Sequence, residues 1–109
     1  MRTVFHKNLS TSHWCEFSLV EQMGNIGSEI ERALRGREKN DLAQSEAALY
    51  RGLELFDMTL GDPKNFGRLK EVARSRELFL DFFIGENIYG STKESWRKYF
   101  LDFAIAARR

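Results

Sequence analysis

Proline occurs once in this chain of 109 residues, at Pro63. A proline inside a helix costs ~3 kcal/mol, so its near absence leaves long stretches on either side free to be helical. The apolar residues on those stretches recur at steps of three and four. Nowhere do apolar and polar residues alternate for long, as a half-buried strand would require. The chain therefore reads as all-α. The pattern predicts a single up-and-down four-helix bundle with an irregular N-terminal arm over 1–17 and helices over about 18–37, 42–60, 63–84 and 92–107.

Start and stop signals support those limits. Ser18 followed three residues later by Glu21 is a capping box, and Leu19, Met23, Ile26, Ile30, Ala33 and Leu34 then mark one apolar face. Gly24 and Gly27 interrupt that helix at ~1 kcal/mol each relative to alanine, which predicts either a close approach by a neighbour or a frayed start. Asp41 and Gln44 open the next helix, whose seam is Leu42, Leu49, Leu53, Phe56 and Leu60, and Gly61 closes it. Asp62-Pro63 is a further start signal. Gly67 leaves open whether a separate short turn precedes the third helix. Ser91 and Glu94 form the last box, ahead of Trp96, Tyr99, Phe100, Phe103, Ala104 and Ala107 on one broad face. In the arm, Trp14 and Phe17 are expected to lie against the helices. Thr3, Val4 and Phe5 are the one place where an edge strand competes with irregular chain.

The segment 68–84 is apolar nearly all round in its second half: Leu78, Phe79, Leu80, Phe82, Phe83 and Ile84 are broken only by Asp81. Such a helix is expected at the centre of a packed body. Arg76 falls four residues after Val72 and three before Phe79, which predicts an inward guanidinium that must find acceptors. Glu46 interrupts the neighbouring seam and is the first candidate, with Glu29 and Asp102 in reserve. The result would be a buried polar or ligand site.

Charge is almost balanced, 17 basic against 16 acidic residues for a net +1, so there is no basic excess of the kind nucleic-acid binders show. The lone Cys15 forms no internal bridge and suits a reducing compartment. No targeting run and no membrane-length apolar run is read. These features predict a cytoplasmic protein with no membrane association.

The chemistry-bearing residues give no complete site. Glu29, Glu46, Glu54, Asp57, Glu77, Asp81 and Asp102 supply carboxylates, but di-metal bundles also want Glu-x-x-His pairs, and both histidines, His6 and His13, fall in the arm. His13 and Cys15 are two apart, too close in sequence to face each other on a helix. Lys64, Arg68, Lys70 and Arg74 gather near the start of the third helix as possible anion contacts, with Glu71 and Glu77 interleaved. No catalytic, cofactor-binding or metal residues are assigned, and no cofactor.

In architecture the pattern resembles the HEPN group of small helical ribonucleases and toxin partners, whose signature arginine is followed by a catalytic histidine. After Arg74 and Arg76 the run SRELFLDFF contains none. That resemblance implies at most an RNA-associated or toxin–antitoxin-type partner without the catalytic histidine. Across nearly its whole length the chain is more similar to short uncharacterised prokaryotic helical proteins that carry an FSL-EQ-NIGSE segment, here 17–29. They also carry a DPKN-GRLKE segment, here 62–71, and a closing AIAAR, here 104–108. That resemblance implies a self-contained domain and no particular activity.

The excess of apolar surface decides the functional expectation. The last helix has a face too wide for one seam, and contiguous apolar patches mark interfaces. The sequence reads as a non-enzymatic bundle that binds protein, as a homodimer or a partner subunit, with Trp96, Tyr99 and Phe103 at the contact. Nucleic acid is the less favoured partner.

Overall fold

The computed structural model describes residues 11–107. Every element among them is helical: α1 Thr11–Trp14, α2 Leu19–Glu38, α3 Leu42–Leu60, a 3-10 turn over Pro63–Arg68, α4 Leu69–Phe83 and α5 Lys93–Ala107. Thr3, Val4, Phe5, His6, Arg108 and Arg109 lie outside the described residues. None of the described helices is long and apolar enough to cross a membrane.

The caps explain most of these limits. Ser18 and Glu21 exchange both bonds of the box, Ser18 N–H to Glu21 Oε1 at 2.9 Å and Glu21 N–H to Ser18 Oγ at 3.2 Å. At the far end of α2 the Asn40 N–H donates to the Arg37 carbonyl and the Asp41 N–H to the Gly36 carbonyl. Asn40 has φ 57°. Together these form a Schellman motif with asparagine in the left-handed position, a residue that tolerates it. Asp41 then caps α3 through the Gln44 N–H at 3.0 Å, while the Gln44 side chain bonds the Arg32 carbonyl instead of completing a box. Thr92, one residue later than Ser91, caps α5: the Ser95 N–H donates to Thr92 Oγ1 and the Thr92 N–H to Ser95 Oγ. The alternative around Gly67 resolves as a separate 3-10 turn, capped by Asp62 and opened by Pro63.

Packing corrects one expectation outright. The helix at the centre is α2, which lies between α3 and α5, whereas α4 packs chiefly on α3 and the 3-10 turn. Met23, Ile26, Ile30, Ala33 and Leu34 of α2 are all buried. In α4 only Val72, Phe79 and Phe83 join the hydrophobic core; Leu78, Leu80 and Phe82 are half-buried, and Ile84 is 60% exposed. A segment apolar on every side is thus wet on part of its surface. Close approach explains why α2 holds the middle. A Cβ on Gly27 would sit 2.7 Å from the Phe100 ring, and one on Gly36 2.7 Å from the Ser45 backbone. Two glycines let one helix receive neighbours on two sides.

The arm is less irregular than expected, since its last residues form α1. Trp14 is 1% exposed, packs edge-on against Phe17 and donates its Nε1–H to Thr59 Oγ1 at 3.0 Å. From Phe56 an aromatic run continues through Phe79 and Trp96 to Phe100, with Phe83 branching from Phe79 and neighbouring centroids 5.0–6.4 Å apart.

Candidate functional site

The group expected around Arg76 does not assemble. Ser75, not Arg76, takes the buried slot between Val72 and Phe79, with its hydroxyl 2.9 Å from Tyr99 Oη. Arg76 sits at the flank, one-third exposed, and bonds Asp57 through Nε at 3.0 Å. Glu46 and Asp102 are exposed. The physical reason is cost. Either residue fits the helical phase, but a serine is satisfied by one hydroxyl partner, whereas a guanidinium carries five donors and a fixed charge. Glu29 is buried as the reserve reading allowed, with other partners: Arg51 of α3 at 3.0 Å and Arg32 at 2.9 Å.

The expected anion cluster is also divided. Lys64 bonds Asp62 and Arg68 bonds Glu71, both at short range. Lys70 and Arg74 are exposed on α4. Of the three aromatics expected at an interface, Trp96 is 4% exposed and belongs to the core, while Tyr99 and Phe103 are half-buried. Exposed instead are Leu101 at 57% and Ile105 at 44%, one turn apart on α5.

What sequence reasoning missed is a buried polar network uniting the two segments 17–29 and 62–71. Gln22 Nε2 donates to Asp62 Oδ2 at 2.8 Å and to the Trp14 carbonyl at 3.0 Å. Asn65 Nδ2 donates to Gln22 Oε1 at 2.8 Å and to the Thr59 carbonyl at 3.0 Å. Gln22, Thr59, Asp62 and Asn65 are each at most 4% exposed. Burial pushes the Asp62 carboxyl up, but hydrogen bonds from Lys64 and Gln22 outweigh it and hold the pKa down to about 2. Next to it the Cys15 thiol is pushed up, by burial first and by Asp62 second. A thiol held protonated is a poor nucleophile, and the network reads as a satisfied structural joint. His13 pairs with Glu16 at 3.3 Å. No group of three or more His, Cys, Asp or Glu among the described residues is placed to hold a metal ion.

Among the surface hollows, one of about 580 Å³ lies between α3 and α4, lined by Asp57, Leu60, Lys70, Ala73, Arg74, Arg76 and Glu77, and two lie on the flanks of α5. On the α2 side runs a groove of about 470 Å³, with Ile30, Leu34, Phe100 and Ala104 among its lining and Leu101 along its edge. Arg97 spans its rim, bonding Glu31 through Nε and Nη2 at 2.9 Å each and Glu38 through Nη2 at 2.9 Å. Toward α4 lies a cleft of about 360 Å³ lined by Glu71, Arg74, Ser75, Leu78, Ser91, Ser95, Trp96 and Tyr99.

Against known proteins, the chain matches no family model, no curated sequence and no solved structure.

Proposed function

We propose that this protein is an up-and-down four-helix bundle that works by binding protein, and that its first partner is a second copy of itself. The observation that carries this reading is the pairing of a ridge and a groove on one surface. Leu101 and Ile105 project from α5 beside the α2/α5 groove, whose lining includes Gly24, Gly27 and Ala104. A two-fold interface brings the same patch from both subunits together, so the patch must be complementary to itself. A ridge that can enter the partner's groove, flanked by charges of both signs at Glu31, Arg32, Arg35 and Arg97, meets that requirement. With Lys64 and Arg68 already engaged by carboxylates, the basic residues give less support to a nucleic-acid surface.

Light scattering after gel filtration, at tens of micromolar as an assay condition, tests the reading. The native protein should run at twice the chain mass, and Leu101→Glu with Ile105→Glu should run at the chain mass with its helical circular dichroism intact. A native protein that stays at the chain mass under these conditions refutes it.

A further inference from the structure

The α4/α5 cleft shares one wall, Trp96, with the α2/α5 groove. Trp96 is 4% exposed, and its Nε1–H is the one buried side-chain donor or acceptor among the described residues that finds no hydrogen-bond partner. Its counterpart Trp14, equally deep, has Thr59. Leaving a buried donor unmade is costly, and native proteins reserve that cost for places with a reason. Here the indole stands between the α2/α5 groove and the α4/α5 cleft and belongs to the lining of both. The other walls of the cleft are apolar at Leu78 and along the Tyr99 ring, and polar at Ser75, Ser91 and Ser95. Glu71, also in the lining, is neutralised by Arg68. Arg74 makes no ion pair among the described residues, and its guanidinium lies 5.8 Å from the centroid of the Tyr89 ring. Tyr89 is positioned by Asp81, whose Oδ1 and Oδ2 accept from the Ile88 and Tyr89 N–H groups at 2.8 and 3.1 Å. A cation without an ion pair and apolar walls therefore meet in one cleft, with the unpartnered indole donor just beneath its surface. Its volume lies at the small end of the range for small-molecule sites.

We infer that the α4/α5 cleft binds a small aromatic acid. Its ring lies against Leu78, Tyr99 and Trp96, its anionic group is taken by Arg74, and a polar atom of the ligand accepts the Trp96 N–H. The site opens on the α4 flank of α5 and the α2/α5 groove on the other, with Trp96 as a wall common to both. An Arg74 variant distinguishes them, since Arg74 lines only the first of the two.

Titration with 4-hydroxybenzoate, followed through the indole N–H resonances of the 15N-labelled protein, tests it. The Trp96 N–H should shift saturably while that of Trp14 stays in place. Neutral 4-hydroxybenzyl alcohol should bind at least about tenfold more weakly, and Arg74→Ala should weaken the acid by about tenfold while leaving the alcohol unchanged. Arg74 is exposed, so its loss leaves the fold intact. The inference is overturned by a Trp96 signal that ignores the probe and exchanges with water, by equal shifts at both tryptophans, or by a shift that Arg74→Ala does not change.

Discussion

Gly24 and Gly27 stand one turn apart on α2 and meet opposite surroundings. A Cβ at position 24 would have nothing within 4 Å, whereas one at 27 would press on Phe100 at Cδ1, Cγ and Cβ, all within 2.8 Å. The Phe100 Cβ cannot swing away, so relief requires α2 and α5 to move apart. Gly24→Ala should therefore stabilise the protein by about 0.5–1 kcal/mol, the ordinary helix advantage of alanine. Gly27→Ala should destabilise it by roughly 1–3 kcal/mol, as overpacked cores do. Urea unfolding of the two variants decides the matter, and the ranking fails if both move in the same direction. The sequence showed two costly glycines and could not separate them, because what occupies the space above a glycine comes from a distant part of the chain.

Among the elements, the α2–α3 contact carries the buried charge that sequence reasoning assigned to α4. The Glu29 side chain is 6% exposed and Arg51 27%. Arg51→Leu leaves a buried carboxylate without its α3 partner and should cost roughly 3 kcal/mol. The double variant Glu29→Leu with Arg51→Leu should recover much of that loss. Thermal unfolding of both singles and the double gives the coupling, and simple addition of the single effects would show that the pair is not coupled. Arg76→Leu, by contrast, should cost about 1 kcal/mol or less, since it removes a pair open to water. Helix positions were legible because caps and periodicity act locally: Ser18, Asp41, Gly61 and Pro63 all stand where an element begins or ends. Pairings across helices were not. The slot between Val72 and Phe79 fits residue 75 or 76 equally by geometry, and only the lower cost of burying Ser75 beside Tyr99 separates them. Gln22 and Asn65 carried no signal, because a buried amide looks like a surface one until its partners are in view. At the end of α4, Arg37 donates through Nη2 to the Phe83 carbonyl at 2.5 Å and lies over the Phe83 ring. That basic closure of a helix C-terminus is supplied by a residue on α2, far upstream.

For the whole molecule, the polar joint of Trp14, Gln22, Thr59, Asp62 and Asn65 ties the arm, α2, α3 and the 3-10 turn together, and it should set the acid limit of stability. Asp62 titrates near 3.8 when unfolded and about 2 when folded. The unfolded state therefore takes up a proton first as pH falls. The stabilisation is complete above about pH 4 and is lost progressively down to about pH 2. Chemical unfolding across that window should show a steep drop for the native protein and a shallower one for Asp62→Asn, which also starts from lower stability. Parallel curves would mean that the carboxylate charge has no part in the joint.

The place of α2 between α3 and α5 has a consequence for synthesis. Its partner α3 follows within a few residues, and the two can zip together as soon as both have emerged. The face around Gly27 must wait for Phe100, which is translated long after. Through that interval a nascent chain presents an apolar helix with a notch shaped for an aromatic ring, and nothing of its own to fill it. Unfinished chains exposing such surface are the ones that aggregate or recruit chaperones. A stop anywhere before α5 therefore yields a product with its hydrophobic interior open along one side, and the cell's quality control has a clear mark by which to recognise it.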